Sequence, residues 1–475
     1  MKPRIVGLET EYGFMPRDER LHERRYNLLF KGLKQRFLQN GGRLYLCSSS
    51  SKVGASSPRE IAHPEYATPE CLSLTLKDII AYDKAGERII VGELPGFRFF
   101  KNNCDESSGV SDDGPAVVEY NPLRREEAGP NFFGCHENYS IERGVFLAEK
   151  LIPFLATRAI FTGNGFISRN NYYLSQKSMS YIQMGYLASS ILSVHPSCNS
   201  LAYASDYGRL EIKIGDANMC EMASYLKTGL TCLILDLAEG FKRGNLPEIH
   251  VDLRDVYDIF TSASSNLSCK GLIKIHFKGS YTRMSAIDVQ RIYLEKCKKH
   301  YAGMDLLTDD LLGSWSYALD SLEKDPMGLK GWFDWIEKKR LLNEFMLDTR
   351  LGLDDPWVRS VALNYHDIGR EDNSQERADK GLYYALQDKG RIIRIVDENA
   401  IERAMSNPPE NTRAWKRAKA ISDYGVRISE VYWDTLCFDK EVMSDPFFDG
   451  SGKAKREFMA YLRKELGECP KVTLC

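Results

Sequence analysis

Short runs in which apolar and polar residues alternate are interleaved along the chain with longer stretches at helical spacing, and no segment repeats another. Arg4–Leu8 reads as a strand that runs into Glu9-Thr10-Glu11. Arg43–Cys47 reads as a second strand, entered through the turn Asn40-Gly41-Gly42. Leu210–Ile214 alternates in the same way and ends at Gly215-Asp216-Ala217-Asn218. The helical period holds over Leu72–Lys84, stopping near Gly86, and over Ile141–Phe161, where Pro153 predicts a kink or break. It holds again over Met219–Glu239, with Asn218 and Glu221 spaced as an N-terminal cap pair. Ser48–Ser57 and Glu106–Gly114 read as loops, and from Ser314 the pattern is mainly helical. The Pro408-Pro409 segment marks the best boundary, predicting a large domain 1–405 and a small domain 406–475. About 65 residues beyond the prolines are marginal alone, so the small domain should pack on the large one.

The chain has 475 residues, 43% of them hydrophobic and 27% charged, the composition of a soluble globular protein with a sizeable core. A formal net charge of −2 gives no electrostatic reason to expect nucleic acid or an anionic membrane as partner. No apolar run is long enough for a spanning helix, and the first residues, MKPRIVGLETEYGF, do not read as a signal peptide. Twelve cysteines lack CxxC pairs and zinc spacing, so we expect reduced thiols in a cytoplasmic protein.

Four clusters carry candidate chemistry. Glu9 and Glu11, two apart on a strand, share one face. They are either a solvated pair or a pair that needs a cation or hydrogen-bond donors between them, and Mg²⁺ suits such oxygen ligands. His63–Glu70 holds two prolines and must be extended, either a stiffened surface loop or a segment that presents Glu65. Lys101-Asn102-Asn103 and Gly134–Tyr139 place amides and a carboxylate among apolar residues, the makings of a wet cleft. His136 by itself reads more readily as a structural histidine than as a ligand. Gly215–Asn218 opens a helix whose N-terminus could receive an anion or be capped by its own Asx residues.

Taken in order, Gly7–Gly13, Arg43-Leu44-Tyr45, His63–Glu70, Asp83–Arg88, Gly134–Tyr139, Gly215–Asn218, Lys380–Tyr383, Asn407–Arg413 and Trp433-Asp434 resemble the motifs of the Pup ligase/depupylase family. The resemblance implies an α+β, glutamine-synthetase-like fold: a curved antiparallel sheet backed by helices, plus a small C-terminal domain. It implies ATP and Mg²⁺ as cofactors. It also implies phosphorylation of a carboxylate on the small protein Pup, followed by joining to, or release from, a substrate lysine. By the same resemblance Glu9, Tyr45 and Glu65 match metal ligands, and Glu11 is grouped with them. Arg43, Thr68 and Trp433 match nucleotide contacts.

The chain departs from the family pattern where a catalytic aspartate belongs: that place holds Cys47, and Glu60 is the nearest replacement acid. Insertions at roughly Ser48–Arg59 and Glu106–Phe133 split two motifs, and Glu211 stands where a histidine is usual. Three functions fit. One is carboxylate phosphorylation with ligation and cleavage impaired, a second is a full ligase or depupylase that uses a replacement acid, and the third is a non-catalytic ATP-binding regulator.

Overall fold

The computed structural model describes residues 1–18, 20–21, 29, 32–33, 36–48, 62–101, 133–142, 148–168, 170–178, 192–195, 207–239, 246–251, 255–370, 380–424, 435–436, 441–443 and 472–474. Its strands through the first half of the chain are β1 Ile5–Pro16, β2 Arg36–Phe37, β3 Arg43–Ser48, β4 Ala62–Ala67, β5 Cys71–Leu72, β6 Phe97–Lys101, β7 Cys135–Glu142, β8 Phe166–Ser168, β9 Asn171–Tyr173, β10 Leu192–His195 and β11 Tyr207–Ile212. Nine of these form one sheet in the order β10-β11-β7-β1-β4-β3-β2, with β5 and β6 also paired to β1. All its described pairings are antiparallel.

Period-two alternation divides this sheet into two faces. Val6, Leu8, Tyr12, Tyr66, Tyr139, Leu210 and Ile212 are buried on the back face. They meet the helices Leu76–Glu93 and Glu221–Glu239, the second of which is buried from Glu221 to Ala238. Gly7, Glu9, Glu11, His136, Glu65, Tyr45, Arg209 and Glu211 take the other parity and line the open face, in register across five strands. The expected α+β architecture, an antiparallel sheet backed by helices, is present.

Several local expectations give way to tertiary packing. The first long helix does not stop near Gly86; it starts at Leu76 and runs to Glu93. Gly86 serves close approach instead, since a Cβ there would stand 2.2 Å from the Tyr66 ring. The Ile141–Phe161 stretch is not one helix: it is the end of β7 followed by helices Ala148–Thr157 and Ala159–Thr162. Pro153 lies inside the first of these, and the break falls at Arg158. Asn218 and Glu221 do not form a cap pair. Asp334 accepts the Met219 and Cys220 N–H groups at 3.2 and 2.9 Å, while Glu221 accepts the N–H groups of Ile395 and Val396 at 2.5 and 2.9 Å. The N-terminus of helix Glu221–Glu239 is thus already neutralised by a carboxylate of its own chain and is no anion site.

Lys101 does not line a cleft. It is buried on the helix side, 2.5 Å from Asp83 and 2.9 Å from Glu87, and Asp83 accepts the Thr10 hydroxyl at 3.0 Å. Asn102 and Asn103 lie outside the described residues.

The Asn40-Gly41-Gly42 turn is present. Gly41 has φ +81° and a Cβ there would press 3.0 Å from Ala414 O, so glycine is required twice over. Ala414 belongs to the helix Arg413–Tyr424, whose Arg417 donates to Gly41 O at 2.6 Å and to Glu70 Oε2 at 2.5 Å. Cys71, Cys135, Cys220, Cys232, Cys269 and Cys297 are buried free thiols. No helix among the described residues is long and apolar enough to cross a membrane.

Candidate functional site

The register brings Glu9, Glu11, Glu65 and Tyr45 together on the open face. Glu11 stands opposite Glu65, and Glu65 opposite Tyr45. The Tyr45 hydroxyl donates to Glu65 Oε1 at 2.5 Å. Arg43, two residues before Tyr45, lies opposite Ala67 with its guanidinium 4.7 Å from the Tyr45 ring. Cys47 occupies the β3 position opposite His63; Glu60 and Trp433 lie outside the described residues.

Two histidines thread this carboxylate row. His136 Nδ1 lies 3.7 Å from Glu9 and 3.5 Å from Glu211, and its Nε2 lies 3.7 Å from Glu11. His63 Nε2 lies 3.5 Å from Glu11. His136 is therefore no isolated structural histidine. The ligand atoms of Glu9, His136 and Glu211 fall within 4.8 Å of one another, as do those of Glu11, His63 and Glu65.

The electrostatics show what these groups lack. Burial, then Glu9 and Glu11, push the Glu65 carboxyl up to about 7. Burial would lower His136, but hydrogen bonds to Glu211 and Glu9 and the charges of Glu11 and Glu65 raise it to about 10. Glu11, despite burial, is held well below the usual range by Lys177, His63 and His136. Carboxylates crowded closely enough to shift Glu65 and His136 toward their protonated forms are a setting that a bound divalent cation relieves. Three carboxylates and a phenol suit the oxygen preference of Mg²⁺. The donor set fits that ion, and each imidazole would also serve Mn²⁺.

Beside this row lies a cleft lined by Gly7, Glu9, Ala67, Thr68, Asn138, Arg209 and Arg413, among others. Thr68 Oγ1 accepts the Leu8 N–H at 3.0 Å, leaving its hydroxyl proton to donate. Arg209 Nε donates to Asn138 at 2.7 Å, and its Nη2 donates to Glu9 at 3.2 Å. Arg413 enters from the C-terminal helix, its Nε donating to Glu70 at 2.7 Å. Two arginines, a hydroxyl and a side-chain-free floor at Gly7 suit a polyanionic ligand.

Sequence reasoning missed Arg209 and Lys177. Arg209 was legible by parity, two residues before Glu211 on one strand. Lys177 opens a helical turn shortly after β9 and carried no local signal.

An antiparallel sheet with helices on one face and a carboxylate row on the other is the architecture of the glutamine-synthetase-like carboxylate–amine ligases. Within that class, residues 17–437 match the family model described as Pup-ligase protein, and the chain belongs to that family. A Pup–protein ligase of Kribbella flavida is 33% identical over 446 residues, spanning 89% of this chain and 90% of that protein. A depupylase of Acidothermus cellulolyticus is 31% identical over 440 residues, spanning 86% and 76%. The solved Pup ligase PafA in complex with Pup superposes with a TM-score of 0.73 at 26% identity, covering 97% of this chain and 91% of that one. PafA in complex with ADP gives 0.70 at 26% identity, covering 96% of each.

Proposed function

We propose that this protein is an ATP- and Mg²⁺-dependent enzyme that phosphorylates a carboxylate, with a Pup-like small protein as the bearer of that carboxylate. The observation that carries the reading is the row Glu9, Glu11 and Glu65, with Tyr45, ending at a cleft that presents Thr68, Arg209 and Arg413. Family membership and the ADP- and Pup-bound structural neighbours support it.

In this reading Glu9, Glu11, Tyr45 and Glu65 hold Mg²⁺, which when bound neutralises charge on the transferring phosphoryl group. Arg43 and Thr68 contact the nucleotide, and Arg209 and Arg413 face its phosphates. Trp433, within a small domain 406–475, stacks on the base. The protein works in the cytoplasm, and neither nucleic acid nor membrane is a partner.

The transfer step is where this chain departs from its family. By the resemblance Cys47 stands at the aspartate position, and a thiol does not replace a carboxylate as proton acceptor. A general base contributes about 10²–10⁴-fold, so capture of the acyl phosphate by lysine should be slow by that factor.

The test is incubation of the protein with labelled ATP, Mg²⁺ and Pup, reading free phosphate, labelled protein and conjugates separately. Phosphate release is expected, with Glu9→Ala and Glu65→Ala abolishing it. Conjugates should be scarce until Cys47→Asp is introduced. Abundant conjugates from the wild type would overturn the impaired-transfer reading in favour of a replacement acid such as Glu60. Nucleotide binding without phosphate release would favour the regulator.

A further inference from the structure

Glu11 holds its two carboxylate oxygens in different ways. Oε2 accepts the Gly134 backbone N–H at 2.7 Å and lies 3.8 Å from Lys177 Nζ. Oε1 faces His63 Nε2 at 3.5 Å and His136 Nε2 at 3.7 Å. Lys177 reaches Oε2 only because Gly134 has no side chain. A Cβ there would stand 2.1 Å from Lys177 Cε and 2.9 Å from its Nζ. The path is built from below as well: Lys177 N donates at 3.1 Å to Asp216, which also accepts the N–H groups of Asn164 and Gln176 at 3.0 and 3.2 Å. Asp216 and Lys177 are both buried.

We propose that Lys177, passing across Gly134, is a positioning residue that makes Glu11 a one-oxygen ligand and thereby sets the selectivity of the site for Mg²⁺ over Ca²⁺. The inference rests on the metal reading of the carboxylate row. Mg²⁺ demands near-octahedral geometry, whereas Ca²⁺ takes six to eight oxygens and accepts carboxylates in bidentate fashion. With Oε2 engaged by an N–H and an ammonium, Glu11 offers the geometry that suits the smaller ion. Removing Lys177 leaves Oε2 held by the Gly134 N–H alone, so the carboxylate can turn both oxygens outward.

Charge and geometry make separable predictions. Loss of a lysine's positive charge tightens binding of both dications, because their charges are equal. Only the geometric role changes the ratio of their affinities. Mg²⁺ and Ca²⁺ dissociation constants are to be measured by calorimetry on the full chain, without nucleotide. Lys177→Ala should shift the ratio toward Ca²⁺ by about tenfold, the scale of one altered ligand contact. Lys177→Arg should keep most of the wild-type ratio. Gly134→Ala, whose Cβ would meet Gly215 O at 2.8 Å as well as the Lys177 side chain, should shift it in the same direction as Lys177→Ala. An unchanged ratio in a folded Lys177→Ala protein, including the case where both ions simply tighten together, overturns the positioning role and leaves the metal site standing. A wild type that binds neither ion overturns the metal reading and this inference with it.

Discussion

Replacing Glu70 with glutamine should loosen the C-terminal helix from the sheet. Glu70 ends the His63–Glu70 segment, and its buried carboxylate sits between two arginines of the helix Arg413–Tyr424. Oε1 accepts from Arg413 Nε at 2.7 Å and from Arg417 Nη1 at 3.1 Å, and Oε2 accepts from Arg417 Nη2 at 2.5 Å. Burial would raise this carboxyl, yet the charges of Arg417 and Arg413 pull it from its ordinary 4.5 to about 2. At ~1.4 kcal/mol per tenfold change, that displacement is worth about 3 kcal/mol. Removing one member of a buried ion pair costs about 3–5 kcal/mol by independent measure, so the two scales agree. Glu70→Gln should therefore raise the opening equilibrium of this helix on the order of 100-fold. The assay is amide hydrogen exchange of residues 413–424 at neutral pH. The Thr412 hydroxyl bond to the Glu70 carbonyl, at 2.7 Å, uses the backbone and survives the substitution, so the difference isolates the carboxylate. The sign with pH follows from the lowered value. The contribution is complete above about 4.5 and is lost as pH falls toward about 2. Wild-type protection of the helix should decline through that window, whereas Glu70→Gln should start low and stay flat. Equal protection of the helix in both proteins at neutral pH would refute the reasoning.

Two further outcomes follow from groups near the sheet. Glu65 is pushed up to about 7, so the metal-free fold loses stability as pH rises from the ordinary 4.5 through 7. Metal-free Glu65→Gln should melt above the wild type at pH 8 and show no rise with Mg²⁺, while the wild type should rise; a wild type indifferent to Mg²⁺ would contradict this. Gly86→Ala improves helix propensity by about 1 kcal/mol. Its Cβ, however, would meet the Tyr66 ring at 2.2 Å, so overpacking of about 1–3 kcal/mol should win and lower the denaturant midpoint.

Gly86 also shows where sequence reading stops. A glycine near the end of an apolar-periodic stretch reads as a helix stop, and nothing local shows that an aromatic ring from β4 lies against it. Asn218 and Glu221 have the spacing of a cap pair, but Asp334, 116 residues away, takes the backbone N–H groups and leaves Glu221 to bind the chain at Ile395 and Val396. What was legible rests on strict periodicity. The shared face of Glu9 and Glu11 follows from strand parity, and the pairing of Glu11 with Glu65 and Glu65 with Tyr45 keeps that parity across three strands. Tyr45, Glu65 and Thr68 came from motif resemblance, and the structure places Tyr45 and Glu65 beside Glu11 and Thr68 in the cleft. Lys177 was invisible because its position is set by Asp216, not by neighbours in sequence.

The arrangement also separates the support of the carboxylate row from the strand that carries residue 47. Carboxylates that repel one another need a rigid support, and β1 has it on the face opposite the row. Thr10, between Glu9 and Glu11, is tied to Asp83, which is tied to Lys101, which is tied to Glu87, all buried and mutually satisfied. That support holds Glu9 and Glu11 from behind and involves no residue of β3. Cys47 lies near the far end of β3, opposite His63, two residues beyond the Tyr45–Glu65 pair. A substitution there leaves the register of Glu11, Glu65 and Tyr45 intact, since those pairings are fixed by backbone hydrogen bonds and by the apolar back face. The carboxylate row and its cleft therefore do not depend on the identity of residue 47. The proposed combination of retained phosphoryl transfer and impaired acyl transfer is compatible with this separation of strands.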